Sequence, residues 1–406
     1  MPEGDHKIEN KDQRSKYLVQ AKKLAPIFRE RAIEAEELRR MPDETVADIV
    51  ASGIPRMCQP KRFGGAELPW DALVEVVIEL GKGCGSQAWV ADVFSEHNCH
   101  LGHFPNEAQH DVWDDNPEAL ISTSYAPTGK AERVDGGWKL SGRWGFSSGV
   151  EHSSWTILGV LLPDADGEKS EDGPGRGYGH GHHFMLVPAA DRIVLDTWHT
   201  IGLAGTGSHD VTVEDTFVPD HRVLDTRLTA VAKSPGAEHN TAPVFKMPHL
   251  GFAQPSLAGV AVGIASGAVA DFEEMLKTRK VRGKLLGDIQ GLQLRLAEAS
   301  AEIEAARLLA MSTAQENMDL IVSGKVLDMA DLGRSRRNAA YAVKLAKAAT
   351  QRVFEATGGQ GIYVGQPIQR AFRDIQAAAS HIALGWDLSA TIYSKQALGL
   401  DMSDVL

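Results

Sequence analysis

Cysteine is scarce: the 406-residue chain has three, Cys58, Cys84 and Cys99. They form no CxxC pair and one would be left over, which argues against a zinc knuckle or a disulfide-stapled fold and predicts reduced thiols. Positive charge is also in deficit, with 42 Lys and Arg against 54 Asp and Glu and a net charge of −12. That balance opposes attraction to phosphate backbones and anionic bilayers, so no nucleic-acid partner and no membrane partner is expected. No run of about 18 uncharged apolar residues stands out. The amino-terminal MPEGDHKIENKDQRSK lacks the apolar centre of a signal peptide, so the expected location is the cytoplasm. There is no GxxxxGKS/T loop and no HExxH pair. Gly173, Gly175, Gly177 and Gly179 lie in an acidic stretch with no strand before them or helix after them. A P-loop, a zincin centre and a Rossmann nicotinamide site are thereby excluded.

What is present is globular: 43% hydrophobic and 24% charged residues, in a chain long enough for more than one domain. From Leu18 to Leu38 the apolar residues Leu18, Ala21, Leu24, Phe28, Ala32, Ala35 and Leu38 recur at steps of three and four, predicting an amphipathic helix that Pro26 kinks. Further helices are predicted over Asp43–Ser52, Pro69–Leu80, Ser86–Leu101 and Glu107–Trp113, the last with Asn106 as its N-cap. After residue 118 the texture changes to short β-branched and aromatic segments, among them LISTSY, SWTILGVLL, HFMLVP and DVTVEDTFVP, with a hairpin turn at Asp135-Gly136-Gly137. Residues 163–183 are acidic and Gly-rich and read as a surface loop. The clustered His180, His182 and His183 read there as solvent-facing, and no specific metal site is expected. From Gly251 onward four helical runs, 251–279, 288–323, 328–356 and 367–398, have bundle spacing. The expectation is an α+β chain in three domains: an N-terminal helical domain over 1–118, a middle β-barrel or sandwich domain over 119–225, and a C-terminal four-helix bundle over 226–406.

This order, with STSYAP at 122–127, GRWGFSSG at 142–149, FEATGGQG at 354–361 and PIQRAFRD at 367–374, resembles the acyl-CoA dehydrogenase superfamily across nearly the whole chain. Within it, CGSQAWV, EHNCHLGHFP, WGFSSGVEHSSW, GLAGTGSHDV and NTAPVFKMP are most similar to the oxygenase components of two-component flavin monooxygenases, such as the hydroxylases of 4-hydroxyphenylacetate and of a phenolic steroid intermediate. The resemblance implies a catalytic glutamate eight residues after Asp374 in the dehydrogenases. Here that position is Ile382, which cannot accept a proton, and His381 precedes it.

The implied activity is hydroxylation of an aromatic, preferably phenolic, substrate through a C4a-hydroperoxyflavin, using reduced FMN or FAD with O2 as co-substrate. That hydroperoxide must be shielded from water and hydrogen-bonded near N5, or it collapses to H2O2. By resemblance Ser148 lies beside N5 and Phe146 packs on the isoalloxazine; read plainly, Ser147 and Ser148 cap a strand end. Trp89, the backbone of Thr123, Ser124 and Tyr125, and Phe146, Ser147 and Ser148 match flavin contacts. The family's flavin-phosphate arginine falls in the cluster Arg279, Lys280 and Arg282, with Arg282 preferred. Gly359 and Gln360 of the Gly358–Gly361 loop match a contact to the distal flavin. His381 is the expected polarising group for the phenol, because imidazole titrates near neutrality; the plain alternative is a histidine satisfied inside the bundle. The monooxygenase relatives show a His, Ser, Ser set at similar spacing, so the resemblance implies that His97, Thr123 and Ser148, 26 and 25 residues apart, line one pocket, with threonine here in place of the middle serine. Gly205-Thr206-Gly207-Ser208 reads equally as a loop near the site or as a plain turn. The resemblance further implies a separate NAD(P)H:flavin reductase and a homotetramer. Oxygenation of sulfur, nitrogen or indole, a desaturase, and a non-catalytic flavin carrier stand as alternatives.

Overall fold

The computed structural model describes residues 3–163, 181–251 and 253–402. Six helices open the chain: α1 (Glu3–Glu30), α2 (Ala32–Leu38), α3 (Asp43–Ser52), α4 (Trp70–Gly81), α5 (Gly85–Leu101) and α6 (Asn106–Trp113). Pro26, where a kink is expected, sits inside α1, and the predicted single helix over Leu18–Leu38 is divided at Arg31 into α1 and α2. The cap of α6 also differs from expectation. Pro105 takes the N-cap position, and the Asn106 carboxamide oxygen accepts from Arg62 at 2.6 Å. Helix α5 is buried along its whole length, so its polar residues face protein on every side.

Seven strands follow: β1 (Ile121–Val134), β2 (Gly137–Ser147), β3 (Trp155–Leu161), β4 (His182–Pro188), β5 (Ile193–Leu195), β6 (His209–Pro219) and β7 (Val223–Asp225). They form one mixed sheet in the order β5-β6-β2-β1-β3-β4-β7. Strand β1 joins its two halves: Ile121–Ser124 run parallel to β3, and after a register shift Lys130–Val134 run antiparallel to β2. Leu140, Trp144 and Val211 from one half pack with Leu158, Val160 and Met185 from the other. On the outer face Ile121, Ile157 and Phe184 pack against Val112 and Trp113 of α6. The histidine cluster is not a solvent-facing loop throughout. His182 and His183 open β4, and His182 is fully buried with Nε2 2.9 Å from the Tyr125 carbonyl oxygen. His180 and residues 164–180 of the expected loop lie outside the described residues.

After α7 (Thr226–Ala230) come α8 (Ala253–Thr278), the short hairpin β8 (Lys280–Val281) and β9 (Lys284–Leu285), α9 (Gln290–Val322), α10 (Met329–Ala356), α11 (Pro367–Ala379) and α12 (Trp386–Ala397). The start of α10 is fixed by a capping box between Asp328 and Asp331. Two sequence expectations are corrected here. Residues 367–398 are two helices, broken between Ser380 and Gly385, and the break holds His381. Helix α8 is long and apolar enough to cross a membrane, but its most apolar window is 83% buried inside the protein, as befits the core of a bundle. It packs against α4, α9, α10 and α11.

Candidate active site

Helix α5 carries two of the expected site residues, Trp89 and His97. Trp89 stacks edge-on against His381, with ring centroids 5.5 Å apart. His97 reaches β1, and a Cβ on Gly149 would meet Phe94 at 2.8 Å and Val90 at 2.9 Å. Gly149 has φ +68, so the turn after β2 needs glycine both for its backbone and for this close approach. The end of β2 is tied to β1 because the Ser124 hydroxyl donates to the Gly145 carbonyl at 2.6 Å. The next residue, Phe146, is held at φ +62 with its ring 74% exposed and edge-on to Trp198 at 6.0 Å.

The His97 Nδ1 lies 2.7 Å from the Ile121 carbonyl oxygen, an acceptor only, so Nδ1 carries the proton. Its Nε2 then accepts from the Thr123 hydroxyl at 2.9 Å. Burial lowers the His97 pKa to about 3, so this imidazole is neutral at physiological pH. Two residues on, the Tyr125 hydroxyl meets Glu96 Oε1 at 3.1 Å and His100 Nδ1 at 2.7 Å, and His100 Nε2 meets His249 Nδ1 at 3.3 Å. Asp92 lies one turn before Glu96 on α5, and burial raises both acids, Glu96 to about 8.

His381 occupies the turn after α11. Its Nδ1 accepts the Ala383 backbone N–H at 3.2 Å, which leaves the proton on Nε2, where no partner is found among the described residues. Burial lowers its pKa to about 4, with Arg336 adding to the effect. The near-neutral titration expected from composition is therefore corrected: His381 is a neutral N–H donor and not a base. The dehydrogenase base position, Ile382, is 61% exposed and apolar.

Ser148 is not a simple strand cap. Its hydroxyl pairs with that of Ser208 at 2.7 Å, Ser208 pairs with Thr206 at 2.7 Å, and Thr206 donates to the Leu203 carbonyl at 2.8 Å. The Leu203 amide in turn donates to Asp374 Oδ1 at 2.7 Å, linking α11 to the end of β2. Ser147 is fully buried, and its hydroxyl has no hydrogen-bond partner among the described residues.

Helix α5 thus sets His381 against Trp89 and Thr123 against His97 and packs against Gly149 beside Ser148, while Ser124 faces Gly145, Phe146 faces Trp198 and the Tyr125 ring packs with His97, Glu96 and His100. Lys280, Arg282, Gly359 and Gln360 belong elsewhere. Lys280 and Arg282 are exposed on the β8–β9 hairpin rather than at a helix end, with Arg282 at φ 52. Arg279 reaches the Thr357 carbonyl at 3.4 Å, so this hairpin adjoins the exposed Gly358–Ile362 turn. Sequence reasoning used Asp374 only as a counting mark and missed its grip on Leu203. It also missed Trp198 and the Asp92–Glu96 pair; the one visible signal of that pair was the four-residue spacing on a helix.

Residues 256–386 match the family model described as acyl-CoA dehydrogenase, C-terminal domain. The chain is 37% identical over 389 residues, 93% of each sequence, to the oxygenase component of an FADH(2)-dependent resorcinol hydroxylase from Rhizobium sp. (strain MTP-10005). Among solved structures, 3-HSA hydroxylase from Rhodococcus sp. RHA1 superposes with a TM-score of 0.88 at 32% identity, covering 96% of this chain and 98% of that one. XiaF from Streptomyces sp., solved with FADH2 and glycerol, gives 0.88 at 30% identity over 98% of each chain. Identity of this extent over nearly the full length of both partners establishes that the protein is an oxygenase component of the flavin-dependent monooxygenases built on the acyl-CoA dehydrogenase fold.

Proposed function

We propose that the protein uses reduced FAD and O2 to hydroxylate a small phenol, and that a separate NAD(P)H:flavin reductase delivers the flavin. FAD is preferred over FMN because the resorcinol hydroxylase and XiaF are both described with FADH2. The residues fit such a group. The Phe146 ring, edge-on to Trp198, is exposed on a left-handed backbone, and among the described residues the buried Ser147 hydroxyl next to it has no hydrogen-bond partner. Phe146, Trp89 and the Ser148 hydroxyl would hold the isoalloxazine, and the exposed Lys280 and Arg282 would suit its phosphates, in this or a neighbouring copy of a homotetramer. Bound reduced flavin would supply electrons to O2 at its C4a carbon.

The observation that carries the phenol reading is His381. Its Nδ1 is committed to the backbone, its Nε2–H has no partner among the described residues, and its ring lies edge-on to Trp89. That N–H suits the oxygen of an aromatic alcohol: donating to it orients the ring and stabilises a phenolate that has already given its proton to solvent before binding, so no proton passes to the imidazole. Thr123, with its proton directed at His97, fixes the polar end of β1. Buried α5 keeps water from the reacting atoms. In balance, one atom of O2 enters a ring C–H bond and the other leaves as water, the two electrons coming from reduced flavin.

The test is the purified chain supplied with FADH2 by a separate reductase under labelled O2, against phenols, indoles and thioethers. One labelled oxygen in a ring-hydroxylated phenol is expected, with no NADH oxidation by the chain alone. Oxygenation confined to indoles or thioethers, or NADH oxidation without the reductase, would refute the reading.

A further inference from the structure

The three hydroxyls behind Ser148 have a fixed polarity. The Leu203 carbonyl oxygen can only accept, and it takes hydrogen bonds from Thr206 Oγ1 at 2.8 Å, Trp198 Nε1 at 3.0 Å and the Thr206 amide at 3.1 Å. Each hydroxyl has one proton to give. Thr206 gives its proton to Leu203, so Thr206 accepts from Ser208. With its proton so used, Ser208 accepts from Ser148. The Ser148 oxygen is therefore left with lone pairs only. Thr206, Ser208 and Ser148 are all buried, so water does not scramble the order. The frame is rigid at both ends. Asp374 holds the Leu203 amide, and the Gly149 amide donates to the Thr206 carbonyl at 2.9 Å. A Cβ on Gly202 would meet the Arg373 carbonyl at 2.1 Å, which pins the loop against α11.

Flavin N5 changes its hydrogen-bonding character with oxidation state: reduced flavin carries an N5–H donor, and oxidised flavin presents a bare nitrogen lone pair. We infer that Thr206 and Ser208 are positioning residues that lock Ser148 as an acceptor, so that the site accepts the N5–H of reduced flavin and opposes the lone pair of oxidised flavin. This rests on the reading that Ser148 lies at N5. Without the chain, Ser148 is a free rotor that donates to oxidised N5 as readily as it accepts from reduced N5. The chain converts a serine that binds either state into one that selects the reduced state, and it releases the flavin once the flavin is oxidised.

The experiment measures the two-electron midpoint potential of FAD with and without excess protein under anaerobic conditions. The shift on binding reports the ratio of affinities for the oxidised and reduced states, whatever the catalytic rate. Wild type is expected to raise the potential above that of free FAD. Ser208→Ala and Thr206→Val are expected to cut the preference for reduced flavin roughly tenfold, lowering the bound potential by about 30 mV. Ser208→Thr and Thr206→Ser, which keep the hydroxyls, should retain the wild-type potential. A merely structural role would weaken both oxidation states alike and leave the potential unmoved, and that result overturns the inference. So does a Ser208→Thr protein that matches Ser208→Ala. Ser148→Ala separates the two layers of the argument. If it leaves the potential unmoved, the placement of Ser148 at N5 fails, and the inference with it. If it lowers the potential while Ser208→Ala and Thr206→Val do not, only the chain fails.

Discussion

Phe146 offers a direct way to separate what the fold requires from what the ligand requires. Its backbone at φ +62 is unfavourable for any residue with a Cβ, at a cost of about 1–2 kcal/mol. Its ring is 74% exposed, so only about a quarter of the ~1.5–3 kcal/mol available from burying a large apolar side chain is realised, or about 0.5 kcal/mol. Phe146→Gly relieves the strain, forfeits that 0.5 kcal/mol, and costs about 0.4–1 kcal/mol in added freedom of the unfolded chain. The net is a stability within about 1 kcal/mol of wild type. Phe146→Ala forfeits the ring and keeps the strain, so it should fall below Phe146→Gly by about 1 kcal/mol. Urea unfolding of the three proteins, with equal m values, gives both differences. Anaerobic titration with reduced FAD should show that both variants lose flavin affinity together, because both lack the ring. A loss of more than about 2 kcal/mol in Phe146→Gly, or undiminished flavin binding in either variant, would refute the argument that the ring is there for a ligand.

Four desolvated histidines, three buried and His381 half-buried, set a second expectation: desolvation holds His97 at about 3 and His103, His182 and His381 at about 4. The unfolded chain takes up protons near pH 6.5 and the folded chain does not, so stability should be full above that pH and fall continuously towards pH 4; a melting temperature flat from pH 7 to 4.5 would contradict it. Asp374 shifts in the opposite sense. Burial raises it to about 6, so the folded state holds a proton that the unfolded state has lost, and stability declines as pH rises from about 4 through 6. Asp374→Asn, which still accepts the Leu203 amide, should therefore match wild type near pH 4 and exceed it at pH 8. Asp374→Ala, which orphans that amide, should fall about 1–3 kcal/mol below Asp374→Asn at both pH values in denaturant melts.

Local pattern carried the α5, α9 and α10 helices, the β1–β2 hairpin and the order of the three parts, because each rests on residues three, four or two positions apart. It failed where a long-range partner decides. In 367–398 the one local mark of a break is Gly385, which caps α12, and nothing in the pattern before it places His381 in a turn. His182 looks like a loop residue until the Tyr125 carbonyl, 57 residues away, satisfies its ring inside the sheet. Ser148, His97 and Thr123 were named by their resemblance to the monooxygenases, but the polarity of Ser148 was not readable, since it depends on Ser208 60 residues on, and the Leu203 anchor depends on Asp374 171 residues further along. The titration of His381 was misjudged for the same reason: composition gives the imidazole, and only packing gives the desolvation that takes its pKa down.

The central claim is that Ser148 serves the flavin and His381 serves the substrate. It is tested most directly by measuring product formed per O2 consumed, and the rate of product formation, in Ser148→Ala and His381→Ala with reduced FAD and a phenol that the wild type hydroxylates. Ser148→Ala should divert O2 to H2O2 while leaving the affinity for the phenol nearly unchanged. His381→Ala should slow oxygen transfer by about 10²-fold, as expected for loss of a positioned polarising group. Wild-type coupling and rate in both variants would contradict the account.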